Sequence, residues 1–148
     1  MPQFGCHLSS SAGFLAMGKT ALIIGADTFQ FFTRNPRGGA AKPMDPDDVD
    51  AFRAYAAEQG IGPILAHAPY TLNAAAAEPR VREFAEQVMR DDLKRLAFTP
   101  GALYNFHPGS HLKKISEEQC IDLIAESINI ALSKTQGVTA VIENTAGQ

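Results

Sequence analysis

Residues 102–107 read Ala-Leu-Tyr-Asn-Phe-His, and residues 139–143 read Thr-Ala-Val-Ile-Glu. Each is a short run of strand-forming residues that closes on a polar one. Between them, Ser116 and Gln119 have the spacing of a capping box, and Ile115 and Cys120 that of a hydrophobic staple. Ile121, Ile124, Ile128 and Leu132 then recur at helical intervals until Gly137 ends the pattern. Strand, helix and strand in this order make a βαβ unit, in which the long crossover returns the second strand parallel to the first.

The same rhythm runs upstream. Phe4–Leu8 reads as a strand, residues 13–24 as a helix, and Thr28–Thr33 as a second strand followed by a Gly/Pro/basic loop over residues 34–42. Asp45 is placed to cap the next helix, Pro46 suits its first position, and Asp47 and Asp48 complement its dipole. Val49, Phe52 and Ala56 form its apolar stripe before Gly60 stops it. Pro63–Ala68 is a third strand, and residues 79–96 a helix with Val81, Phe84, Ala85, Val88 and Leu96 on its expected inner face. Such alternation predicts an α/β fold with a parallel sheet. No low-complexity linker interrupts it, so residues 1–148 read as one unit.

Composition agrees with a globular protein: 45% of the 148 residues are hydrophobic and 20% charged, with a net charge of −3. That charge argues mildly against bulk attraction to nucleic acid, although a local basic face can bind phosphate on an acidic protein. The two cysteines, Cys6 and Cys120, lack metal-binding spacing and rule against a disulfide framework, so a cytoplasmic location is expected. The opening residues lack a basic segment and a long apolar run, so no signal peptide is expected.

The chemistry gathers at the strand ends. His7, Thr33, His67, His107 and Glu143 all sit at or just past the C-terminal end of a predicted strand. In parallel α/β folds that rim holds the active site. A lone histidine there is more often structural, but three histidines and a glutamate at equivalent positions point to a site. His67, His107 and Glu143 offer imidazole nitrogen and carboxylate oxygen, the donors of a catalytic zinc centre. His111 follows a Pro-Gly turn and either orients its loop or meets solvent; His7 stands between a supporting or substrate contact and a structural role.

Several strings resemble the endonuclease IV family. Asn105-Phe-His107-Pro-Gly-Ser-His111 is similar to its fourth-strand motif, and Val141-Ile-Glu143-Asn-Thr-Ala-Gly-Gln148 to its fifth-strand motif. His67-Ala-Pro-Tyr70-Thr-Leu-Asn73 resembles its His-x-x-Tyr-x-x-Asn signature, and Cys6-His7-Leu-Ser-Ser-Ser-Ala-Gly13 its opening. The resemblance implies a TIM-like (β/α)8 barrel, of which about five βα units are present, a partial barrel. It implies three zinc ions in the complete family enzyme, with His67, His107 and Glu143 as ligands for about one site and Glu143 in the catalytic bridge. The implied reaction is hydrolysis of the phosphodiester 5′ to an abasic site in double-stranded DNA, leaving a 3′-hydroxyl.

By the same resemblance, Arg37 and Tyr70 match positions that enter or press on bent DNA. Arg34, Lys42, Lys113 and Lys114 add basic residues at the expected rim, where they can meet phosphates. Gly38, Gly39 and Thr71 depart from the family's usual residues. Family members are nearly twice as long and supply further ligands, so an inactive half-barrel is one alternative. Its inward strand faces, with Phe29, Phe31, Ile64 and Ile142, are expected to lose cover. A metal-dependent sugar isomerase or epimerase of the same barrel type is the other.

Overall fold

A computed structural model describes residues 2–99, 101–133 and 135–144. Five strands, β1 (Gly5–His7), β2 (Thr28–Phe32), β3 (Leu65–His67), β4 (Leu103–Phe106) and β5 (Thr139–Ile142), form one sheet in sequence order. Every pairing is parallel. Helices α1 (Phe14–Ile23), α2 (Pro46–Gln59), α3 (Pro79–Leu96) and α4 (Glu117–Leu132) fill the crossovers, and a short 3-10 turn at Ser10–Ala12 precedes α1. The expected elements are all present, with strand ends trimmed by one or two residues.

Local chemistry sets the helix ends. Asp45 accepts from the amide of Asp47 at the start of α2, and Gly60 closes that helix in the left-handed conformation at φ 70°. Both halves of the Ser116–Gln119 capping box form at the start of α4. Asp48 does more than complement the dipole of its own helix. Its carboxylate accepts from the amides of Phe14 at 2.6 Å and Leu15 at 3.2 Å, capping α1 from α2. Gly13 leaves room for this contact, because a Cβ there would stand 2.6 Å from Asp48 Oδ2.

The alternation of the strands separates two faces. Phe29 and Phe31 of β2, Ala66 of β3 and Tyr104 and Phe106 of β4 are buried beneath the helices. Phe29 stacks edge-on against Phe52 of α2 with ring centroids 5.7 Å apart, and Phe31 against Phe14 of α1 at 5.3 Å. The expectation that Phe29, Phe31 and Ile64 face inward and lose cover is therefore corrected: all three lie in the helix-covered core. Ile142 is 52% exposed on β5, the edge strand of the sheet.

Two helix stripes also shift. In α3 the buried residues are Ala85, Val88, Met89, Asp92, Leu93 and Leu96, while Val81 and Phe84 are exposed near the start of the helix. In α4 Ile121 is exposed and the buried positions are Cys120, Ser127 and Ala131. Ile128 and Leu132 are partly buried and pack against the core. Among the described residues no helix is long and apolar enough to cross a membrane.

Candidate metal centre

The uncovered face of the sheet carries His7, Gln30, Phe32, His67 and Asn105, paired across neighbouring strands in register His7↔Gln30, Phe32↔His67 and His67↔Asn105. This face runs up to the C-terminal rim, where His107 follows β4 and Glu143 follows β5. His67, His107 and Glu143 each present one ligand atom there, all within 4.8 Å of one another. Expected ligands from three different strands thus converge.

The geometry within this group favours a cation. The His67 Nδ1–H donates to the carbonyl of Ala68 at 2.6 Å, which leaves the Nε2 lone pair facing the rim. That Nε2 stands 3.1 Å from Glu143 Oε2, and His107 Nε2 stands 3.6 Å from Glu143 Oε1. A neutral imidazole would set its lone pair against a carboxylate; a proton or a metal ion between them resolves the conflict. Ligand atoms of a tetrahedral zinc with arms of ~2.0–2.2 Å lie roughly 3.3–3.6 Å apart, near these two contacts, one to each oxygen of Glu143. The donor set fits zinc.

Asn105 does not stand out in the sequence as a site residue. Its side-chain amide donates to Glu143 Oε2 at 2.6 Å, and this bond is the first cause holding the Glu143 carboxyl below the ordinary carboxylate range. Burial, the second-largest cause, opposes it, and the facing histidines act in the same direction as Asn105. Strand register held the missing signal, because Asn105 is two residues before His107 and pairs with His67.

The other expected residues lie around this group in different ways. Tyr70 is 59% exposed, with its ring 5.6 Å from both His67 and His107 and 5.2 Å from Phe32. It stands beside the ligands as a rim aromatic, outside the core. His7 is outside the ligand group among the described residues. Its Nδ1 accepts from the Gln30 amide at 3.0 Å and its ring lies 4.4 Å from Phe32, which in turn touches His67. Burial, and then the nearby His67, push its imidazole below the ordinary histidine value. His111 accepts from the backbone amide of Lys113 at 3.0 Å, where Leu112 and Lys113 both have positive φ, so it orients its loop.

Arg37 is exposed on the loop after β2, with its amide donating to Asn35 Oδ1 at 2.9 Å. Gly38 packs close to Thr71: a Cβ at Gly38 would lie 3.1 Å from the Thr71 hydroxyl. Arg34 departs from expectation. Its side chain is only 7% exposed and is bonded to Asp91 and Asp92, which withdraws it from any direct phosphate contact. The last part of the fifth-strand motif, residues 145–148, lies outside the described residues.

Asn73 ties two rim loops together. Its Oδ1 accepts from the amide of Ser110 at 3.1 Å while its Nδ2 donates to the carbonyl of Ser110 at 3.2 Å, as a neighbouring strand would. Gly109 lies against Asn73 Oδ1 so closely that a Cβ would collide with it. The loop bearing Tyr70 is thereby registered against the loop that follows His107.

Comparison with known proteins agrees with the fold. Residues 19–148 match the family described as xylose isomerase-like TIM barrel. The chain belongs to that family. Within the xylose isomerase-like TIM barrels, it is 53% identical over 148 residues to "Probable endonuclease 4" of Clostridium botulinum (strain Alaska E43 / Type E3), covering 100% of this chain and 53% of that protein. The crystal structure of endonuclease IV from Thermus thermophilus matches with a TM-score of 0.81 at 30% identity, covering 99% of this chain and 53% of that one. D-Psicose 3-epimerase from Clostridium cellulolyticum, solved with D-tagatose, matches with a TM-score of 0.62 at 17% identity over 94% of this chain and 51% of its own. That last likeness is one of fold. The chain spans about half the length of the endonuclease 4 relative, and the resemblance read from its motifs holds over its whole length.

Proposed function

We propose that this chain provides the first metal ligands and part of the DNA-facing rim of a zinc-dependent endonuclease of base excision repair. The substrate is double-stranded DNA with an abasic site, cut at the phosphodiester 5′ to the lesion to leave a 3′-hydroxyl. The observation that carries the reading is the convergence of His67, His107 and Glu143 beside the exposed ring of Tyr70. Whole-chain similarity to a protein named endonuclease 4 supports it against the sugar-converting members of the fold.

The roles follow from the contacts. His67 is held in one tautomer by Ala68, so that its Nε2 faces the metal position. Asn105 keeps the Glu143 carboxylate turned toward both imidazoles. When bound, zinc supplies positive charge against the scissile phosphate and makes water more acidic. Tyr70 offers an aromatic surface next to that position, suited to a backbone whose base is missing. Arg37 supplies positive charge on the neighbouring loop.

The test combines metal content and turnover. His107→Ala is expected to lower zinc bound per chain, measured by elemental analysis, by most of one equivalent. Cleavage of a duplex with one abasic site is assayed beside a panel of ketohexoses, with the chain alone and extended through the length of its relatives. Unchanged zinc content rejects the ligand role. Conversion of a sugar without incision of DNA rejects the nuclease reading.

A further inference from the structure

We propose that Asp92 and Arg34 are positioning residues, which fix the rim loop bearing Arg37 against Tyr70. The inference rests on the DNA reading above, since the loop's position matters only if DNA docks on this rim.

Asp92 lies in the second half of α3 and is fully buried, a costly place for a carboxylate unless its oxygens are matched. Its Oδ2 accepts from the Thr33 hydroxyl at 2.7 Å and the Tyr104 hydroxyl at 3.1 Å. Its Oδ1 accepts from Arg34 Nε at 3.1 Å and from Arg34 Nη2. Arg34 Nη2 also reaches Asp91 at 2.7 Å, and Nη1 donates to the carbonyl of Gly39 at 3.3 Å. One guanidinium therefore spans from a helix beneath the sheet to the far side of the rim loop.

That loop needs an external hold. Gly38 and Gly39 have φ of +98° and +109° and bring no side chains of their own to anchor it. The Gly38 amide donates to the carbonyl of Asn35 at 2.8 Å, closing a turn around Arg37. On the other flank, the amide of Tyr70 donates to the carbonyl of Pro36 at 2.9 Å. Arg34 at Gly39 and Tyr70 at Pro36 thus grip the turn from two sides, with Arg37 between them. A buried ion pair is a weak source of net stability, but the planar fork of arginine fixes direction.

Arg34→Lys separates position from stability, because lysine keeps a cation beside Asp92 but cannot also span to Gly39. Asp92→Asn, similar in shape and uncharged, is the second variant, with the same signature expected. Amide exchange at Gly38 and Tyr70, followed by NMR, should quicken about tenfold, while the sheet amides of Ala68 and Leu103 stay protected. Affinity for a fluorescein-labelled duplex containing a tetrahydrofuran abasic analogue should fall about tenfold. Arg37→Ala, expected to weaken binding in the parent, should add little in the Arg34→Lys background. Unchanged exchange at Gly38 and Tyr70, equal loss of protection throughout the sheet, or full additivity with Arg37→Ala would overturn the positioning role. Selectively faster loop exchange with duplex binding unchanged in every variant would instead reject the DNA reading, and the purpose of the device with it.

Discussion

Asn105 donates its side-chain amide to Glu143 across the β4–β5 pair at 2.6 Å, and so aims a carboxylate that approaches both His67 and His107. Asn105→Ala removes the largest cause of the low Glu143 pKa, so the carboxyl should rise toward its ordinary value, as followed by carbon NMR of the metal-free chain. The stabilisation associated with this low value is present above the ordinary carboxylate range and is lost as pH falls through the depressed one. Zinc affinity, measured by competition with a chelator, should drop roughly 10–100-fold, as for other residues that orient a ligand. Equal affinity in parent and variant would remove Asn105 from the centre.

His7 should titrate below the usual histidine value of 6.5, since burial and then the charge of His67 both disfavour its imidazolium. The folded chain then binds fewer protons at His7 than the unfolded chain, between the depressed value and 6.5. This contribution to stability is complete above that window and is lost as pH falls through it. Proton NMR of the imidazole gives the midpoint directly. His67→Ala should raise it part of the way, because burial is the larger cause and remains. A parent midpoint at or above 6.5 contradicts the account.

Tyr70→Ala should discriminate between damaged and intact DNA. The ring is exposed beside the ligands and contributes little to the core, so folding and zinc content should be retained. Loss of an aromatic platform for an unstacked site costs on the order of 1–3 kcal/mol, about a fivefold to 150-fold change in affinity. That loss should fall mainly on the abasic duplex, whereas Arg37→Ala should weaken both duplexes and flatten the salt dependence. Fluorescence anisotropy with the two duplexes at several salt concentrations reads both effects.

Asp48→Ala should destabilise the chain by about 0.5–2 kcal/mol, the range for loss of a helix cap. The substitution leaves the α2 cap at Asp45 intact and removes acceptors from the amides of Phe14 and Leu15 in α1. Urea unfolding should show a lower midpoint with little change in slope. Asp45→Ala should cost a similar amount, so a negligible effect of Asp48→Ala beside a clear effect of Asp45→Ala would argue against the cross-helix cap.

Strand order, helix caps and the convergence of His67, His107 and Glu143 were legible because each is a local pattern repeated along the chain. Ser116 and Gln119 announce α4 by themselves, and His67, His107 and Glu143 fall at equivalent points of successive units. Asn105 was harder to see, since its importance arises from a neighbouring strand that places His67 beside it. Arg34 misled for a related reason: its basic charge predicts a solvent-facing role, while its partners Asp91 and Asp92 lie more than 50 positions away. Phe29 and Phe31 show a third limit. Alternation reveals that they share a face of β2, but assigning that face to the helix layer requires Phe14 and Phe52 from two other elements.

The side-by-side order of the five strands bears on how the protein is made. Synthesis at the ribosome delivers β1 first and β5 last, so each new strand emerges with its preceding neighbour already released. A growing chain can therefore extend its sheet at the leading edge, one crossover at a time, without holding an internal gap open for a later segment. Along this stretch, the schedule of translation and the spatial order of the sheet coincide.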